Sequence, residues 1–372
     1  MRMFFFPLLS LMYQCLLIGS ETSHLEHKDY HPEIVYRYNL IDMGETSIDV
    51  SLLSRLSGKL TLAPDINVNG FAISNSSSGG QIFQKSGWKF IPQISGMTIQ
   101  FHAINDNADL LVSLNRGRES VEWMIWPFRD GGYGSARKHI LTVDPFKNDF
   151  VLTGFNTEGL VTGYKKSENK LTPLVWNNDS GFQKMGEAQG LDLHGSIKTI
   201  NGKCCTAGYA DEVYDRYPFY WNPLTGVEIL KNYRTHLMPK GWIEFADMVL
   251  SSNDTVYGTY WIRHLSQVNK PERYRPYYAY EWEPKTGKIS TIDIDGMRIT
   301  AVNSLNTIVG TLNGKAAIRE KDKKPVELAN LIDPDQQQSW QLIESTAIND
   351  KGQIVGYGTL NGKMHIYMAD PT

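Results

Sequence analysis

The chain has 372 residues, 41% of them hydrophobic and 21% charged, with 32 Gly and 16 Pro. That is enough apolar material for a sizeable core and excludes a disordered tail, while the length allows one large domain or two ordinary ones. Lys and Arg total 37 against 40 Asp and Glu, the net charge is −3 and no basic stripe stands out. Nucleic acid is therefore not an expected partner.

Arg2 precedes a nearly uncharged apolar run over residues 3–19, and Gly19 and Ser20 supply small residues before the acidic stretch that opens at Glu21. The pattern predicts an export signal over residues 1–20, and hence an exported protein, periplasmic or extracellular. Pro7 and Gln14 interrupt a run already at the short limit for spanning a bilayer, so an uncleaved anchor is not expected. Gln14 also stands where a lipid-modified Cys15 would need a small residue. No later segment approaches a membrane span. Residues 21–33 read as a flexible connector, in which His24, His27 and His31 lie among Glu26, Asp29 and Glu33. Those residue types suit zinc, nickel or copper, but nothing in a new N-terminus fixes their geometry, and neither a metal nor a cofactor is expected.

One nine-residue pattern, apolar-Asn-x-x-Gly-x-x-x-Gly, then recurs seven times, beginning at Ile66, Ile104, Phe155, Ile200, Leu250, Val302 and Ile348. Its second position holds Asn67, Asn105, Asn156, Asn201, Ser251, Asn303 and Asn349, and its last is Gly163, Gly208, Gly258, Gly310 and Gly356 in five copies. The copies are about 47 residues apart, the length of four short strands and their turns. The Asn opens a tight turn by bonding to backbone two residues on, and a glycine such as Gly352 takes the left-handed conformation that closes it. On that reading Asn349→Ala costs about 1 kcal/mol through a lost turn bond, and Gly352→Val more through strain. Asn306 is tolerable in the left-handed position, Ala108 and Asp254 fit less well, and Asn201-Gly202 offers an alternative two-residue turn. After removal of the leader the only cysteines are the adjacent Cys204 and Cys205, which strand alternation reads as one inward and one outward packed thiol.

A second pattern, apolar-x-Trp followed by a Pro/Asn/Gly turn, passes through Trp176, Trp221 and Trp282, with a looser copy at Trp126. Each unit is thus two hairpins, and no segment sustains a helical period. The last unit stops after its third strand, MHIYMAD at 364–370, while residues 36–45 (YRYNLIDMGE) end like the fourth strand of the third unit, FQKMGE at 182–187. Supplying the missing strand from the N-terminus closes a ring. The predicted fold over 34–372 is all-β, a seven-bladed β-propeller of four-stranded blades. Six or eight blades, or an open β-solenoid, are the alternatives.

The unit TAINDKGQIVGYGTLNGKMHIYMAD from Thr346 and the LIDMG from Leu40 resemble the HAF-repeat, or extracellular-repeat, proteins of bacteria. Their units look like A-I-N-D-x-G-x-I-V-G, then a G-x-x-H-A-F-L-W strand and a D-L-G ending. Of the His-Ala-Phe signature only His365 is kept, before Ile366 and Tyr367, so the chain is similar to the divergent members. The resemblance implies an exported β-propeller and brings no catalytic residues with it.

Among candidate sites, the long insertion over 260–280 carries Tyr274, Arg275, Tyr277 and Tyr278, stacking faces beside a cation that would suit a protein or glycan partner. The plainer reading is that tyrosines simply flank a strand. A second insertion over 131–149 holds Lys138 and His139 without a recognisable constellation. Asp211, Glu212 and Asp215, or Glu244 with Asp247, would serve acid–base chemistry only if loops brought them together in the channel. Asp106 and Asp350 recur in the turns of two copies, too few for a calcium motif, and the triplets at Asn75, Asn178 and Asn253 read as turn residues. The repeated residues are turn and core types. They favour a non-enzymatic binding or scaffold protein over its rival, a glycan- or peptide-degrading enzyme with channel carboxylates.

Overall fold

The computed structural model describes residues 38–46, 63–76, 79–84, 87–90, 97–115, 121–129, 132–133, 139–141, 150–167, 170–186, 195–211, 216–233, 237, 242–263 and 277–372. The leader, the histidine-bearing connector, Lys138, Glu212, Asp215, Tyr274 and Arg275 lie outside these residues.

Strand β1 (Tyr38–Glu45) comes first in the chain. Next are β2 (Asp65–Ile66), β3 (Ala72–Ser76), β4 (Gly79–Gln84) and β5 (Gly87–Phe90), which form one four-stranded antiparallel sheet, blade 1. Blade 2 is β6 (Thr98–Ile104), β7 (Leu110–Asn115), β8 (Val121–Trp126) and β9 (His139–Leu141), and blade 3 is β10 (Phe150–Phe155), β11 (Val161–Ser167), β12 (Lys170–Asn177) and β13 (Gly181–Lys184). Blade 4 is β14 (Gly195–Ile200), β15 (Thr206–Asp211), β16 (Arg216–Asn222) and β17 (Gly226–Ile229), and blade 5 is β18 (Trp242–Leu250), β19 (Val256–Arg263), β20 (Tyr278–Glu283) and β21 (Lys288–Ile292). Blade 6 is β22 (Arg298–Val302), β23 (Ile308–Leu312), β24 (Lys315–Arg319) and β25 (Val326–Glu327). Blade 7 contains β26 (Trp340–Ile348), β27 (Ile354–Leu360) and β28 (Lys363–Pro371), with β1 as its outer strand.

The first strands of successive blades touch in order, β2 to β6, β10, β14, β18, β22, β26 and back to β2. This is a closed seven-bladed β-propeller. The seam lies inside blade 7, where β1 runs antiparallel to β28 from Tyr38 opposite Pro371 to Glu45 opposite His365. The far edge of β1 is covered as well. The short helix α1 (Pro334–Gln337), capped by Asp333, aims the Gln336 amide at Leu40, accepting its N–H at 2.8 Å and donating to its carbonyl at 2.9 Å.

The core is divided among the joints. Seven hydrophobic clusters of described residues lie one between each pair of neighbouring blades. Alternation along β7 shows the cause: Leu110, Val112 and Leu114 pack towards blade 1, and Leu111 towards blade 3. Each of the five repeated glycines lies opposite a bulge in the first strand of its blade, for instance Gly310 opposite Ile299 and Gly356 opposite Ser345. The bulge pushes backbone against the glycine, so a Cβ at Gly310 would collide with the carbonyl of Arg298, and one at Gly356 with that of Glu344.

Candidate functional site: the asparagine belt and the axial cavity

The repeated asparagine is a turn residue, and more. In all seven units the backbone N–H of the Asn (or Ser251) bonds the carbonyl four residues on, and its own carbonyl takes the N–H three residues on. The side-chain oxygen completes the turn, as when Asn349 Oδ1 accepts the N–H groups of Lys351 (3.1 Å) and Gln353 (3.0 Å). The side-chain nitrogen then reaches the next blade. Asn303 donates to the Asn349 carbonyl (3.2 Å), Asn349 to Asn67 (3.0 Å) and Asn67 to Asn105 (3.0 Å). Asn105 continues to Asn156 (3.1 Å), Asn156 to Asn201 (3.5 Å) and Asn201 to Ser251 (3.0 Å). These buried amides form a belt around the propeller axis, and it stops at Ser251, whose short hydroxyl bonds its own turn at Thr255 instead.

The left-handed position of the turn tolerates more than its preferred glycine. Ala108, Cys204, Asp254 and Asn306 all take positive φ there, alongside Gly70, Gly159 and Gly352. The two-residue turn at Asn201-Gly202 is not formed, because Cys204 takes the left-handed position and bonds Asn201 as in every other unit. The strand-alternation account of the cysteines also fails, since both precede β15. Cys205 is buried and Cys204 partly exposed, where its sulfur meets the Asn156 amide at 3.0 Å. Asp254 makes good use of its position. Burial opposes its ionisation, but hydrogen bonds from Lys285 (2.7 Å) and Asn201 (2.9 Å) and the charge of Lys203 outweigh that and hold its carboxyl below the usual range. Asn75 is not a turn residue: from β3 it grips both the N–H and the carbonyl of Phe101 in blade 2, each at 2.8 Å. Asn178 and Asn253 do lie in turns.

Inside the belt lies a cavity of about 190 Å³. Ile66, Leu250, Val302 and Ile348 give it an apolar floor, and Asp106 and Asp350 stand at its rim beside Ser252 and Ser304. Each rim carboxylate bonds a neighbouring turn, Asp106 through the N–H of Val68 (3.3 Å) and Asp350 through that of Ser304 (2.8 Å). Next to the floor, burial pushes the Asp65 carboxyl up to about 6, against the pull of the Ile66 and Ile104 N–H groups.

The acids singled out as catalytic candidates are engaged elsewhere. Asp211 is held by Arg216 at 2.6 Å, and Glu244 accepts the Trp261 indole N–H. Asp247 of blade 5 and Glu344 of blade 7 share Arg298 of blade 6, at 2.5 and 3.1 Å. Burial raises the Glu344 carboxyl despite the opposing charge of Arg298. None of these four acids lines the cavity. Sequence reasoning missed Arg298 and Glu344, which carry no motif and lie 46 residues apart. Of the blade 5 aromatics, Tyr277 is half-buried with its edge on Trp261, and Tyr278, 38% exposed, stacks on Tyr260 with 5.6 Å between ring centroids. As chain neighbours packed on different strand residues, they do not form one flat platform. His139 is placed in β9. Among the described residues no group of three or more His, Cys, Asp or Glu is arranged to hold a metal ion, and no helix is long and apolar enough to cross a membrane.

Family models and curated proteins give no match to this chain. Solved structures do. A chain of the mitotic checkpoint complex is similar over 96% of this chain and 99% of its own length, with a TM-score of 0.51 and 9% identity. The extracellular domain of a hybrid two component system from B. thetaiotaomicron is similar over 89% of this chain, with a TM-score of 0.50 and 11% identity, and the chain spans 39% of the length of that domain. At such identities the likeness is one of fold.

Proposed function

We propose that the protein is an exported, non-enzymatic propeller that binds a protein partner through the loop-rich side of blade 5. The observation that carries this reading is the state of the acids: Asp211, Glu244, Asp247 and Glu344 are each tied to Arg or Trp within the framework, and the two carboxylates at the cavity rim, Asp106 and Asp350, each hold the turn of the preceding blade. A pair of carboxylates facing substrate across a pocket is what hydrolysis would require. Export is supported by the leader-like residues 1–20 and by the resemblance of the units to the bacterial extracellular-repeat proteins. For the docking surface we take the exposed Tyr278, and the insertion that holds Tyr274 and Arg275, with Tyr277 packed on Trp261 beside it.

Residues 21–372, applied to a peptide array, test the proposal. Tyr278→Ala, which removes an exposed ring, is expected to weaken the wild-type signal about tenfold. Equal binding by wild type, Tyr278→Ala and Tyr274→Ala would remove the surface, and cleavage of arrayed peptides, read by mass spectrometry, would favour the enzyme.

A further inference from the structure

We infer that the axial cavity is a receptor for an arginine side chain presented by a partner protein, at the place where the asparagine belt is broken. This site lies among the repeat turns and does not depend on the blade 5 surface.

Three observations converge. First, every other belt carbonyl accepts two donors, the turn N–H and an amide from the preceding blade, whereas among the described residues the carbonyl of Asn303 keeps only the N–H of Asn306, at 3.1 Å. Ser251 is too short to supply the second, so an acceptor in a buried residue is left with a free lone pair beside the cavity. Second, the charged residues of the lining are Asp106 and Asp350, both acidic; each accepts a backbone N–H of the preceding blade on one carboxylate oxygen, and the other oxygen of Asp106 accepts the Thr157 hydroxyl at 3.5 Å, which leaves Asp350 the less engaged of the two. Of the lysines in the neighbouring turns, Lys203 points to Asp254, 3.9 Å away, and neither it nor Lys351 lines the cavity. The site is thus rich in acceptors and poor in donors. Third, the floor is apolar, and Leu305, 67% exposed, follows the lining residue Ser304 directly in the same turn.

A planar, weakly hydrated cation with several N–H groups and an alkyl stem fits that combination. A guanidinium can bond the Asn303 carbonyl and a rim carboxylate together while its stem lies on Ile66, Leu250, Val302 and Ile348. Leu305 is placed to meet the residues flanking the arginine, which is why the source is taken to be a partner chain and not a free amine.

Titration of the full mature chain, followed by NMR, tests this with three probes: an acetylated Leu-Arg-Leu amide, the same peptide with norleucine for arginine, and agmatine as a free alkylguanidinium. Saturable binding of the arginine peptide is expected, with none for the norleucine peptide. Asp350→Asn keeps the acceptor for the Ser304 N–H and is expected to weaken binding about tenfold, the scale of one charge-assisted bond. Ser251→Asn supplies the missing amide to Asn303 and is expected to weaken binding about fivefold while leaving the melting temperature unchanged or higher. Leu305→Ser is expected to reduce the peptide to the level of agmatine. Binding that ignores both Asp350→Asn and Ser251→Asn in variants that melt like the wild type, or a norleucine peptide that binds as well, overturns the site. Agmatine binding as tightly as the peptide overturns the partner.

Discussion

The seam in blade 7 and the joint between blades 5 and 6 hold the ring in different ways. At the seam the chain is not continuous, yet β1 is paired along β28 and fixed on its other side by Gln336, and Tyr38, Leu40 and Met43 are buried in two separate clusters. At the joint of blades 5 and 6 the chain runs straight through, yet the belt is missing its amide, and the first strands are tied by Arg298 to Asp247. Covalent continuity therefore says little about how tightly two blades are held. Buried contact and satisfied polar groups decide it.

The contrast can be broken most severely at the seam. Deletion through residue 45 removes three buried side chains and uncovers what they pack against, and is expected to cost about 5 kcal/mol or more of stability, read by urea unfolding. A loss under about 1 kcal/mol would mean that β1 is a dispensable cap. Next is the ion pair: Arg298→Met leaves Asp247 and Glu344 facing each other in a largely buried site and is expected to cost about 3–5 kcal/mol near neutral pH. Because the folded Glu344 carboxyl lies above its ordinary value, the folded state favours its protonated form, and that contribution to stability is present at low pH and lost as pH rises. The Arg298→Met deficit should accordingly shrink towards pH 4; an equal deficit at both ends of the range would count against the charge account. Asn349→Ala breaks turn and belt bonds together and is expected to cost about 2 kcal/mol, twice what a turn bond alone suggests. Gly352→Ala, at a positive φ of 79° where Ala108 stands at 62°, is expected to cost only about 1 kcal/mol, less than Asn349→Ala in the same thermal melts. Smallest is Ser251→Asn, expected to raise stability by about 0.5–1 kcal/mol by closing the belt.

The unit count, the hairpins and the strand borrowed from the N-terminus were legible because each has a local signature: an Asn-led turn, a Trp hairpin, a unit one strand short. The belt was not. The bond from Asn349 to Asn67 spans 282 residues, and the pattern that makes a good turn is the same with or without it. Ser251 looked like a weaker turn residue, and only the neighbouring blade shows what it fails to donate. The final glycine of the pattern was visible as a repeat, but its cause, a bulge in a different strand, was not. The acid pairs misled for a related reason. Closeness in sequence put Glu244 with Asp247, whereas Asp247 meets Arg298 51 residues on. For the tyrosines of β20 and its approach the sequence offered both a surface and a plain strand flank, and the structure packs Tyr277 on Trp261 and Tyr278 on Tyr260.

One consequence of the seam concerns the order of events as the chain is made. His365 meets Asp42 across 323 residues, so β1, the first of the described strands, stays unpaired until β28 has been made. Closing so wide a loop is entropically slow, and no fragment lacking β28 can complete the circle. A product that stops before β28 would expose the unpaired edges of β1 and β27, marking it for proteolysis.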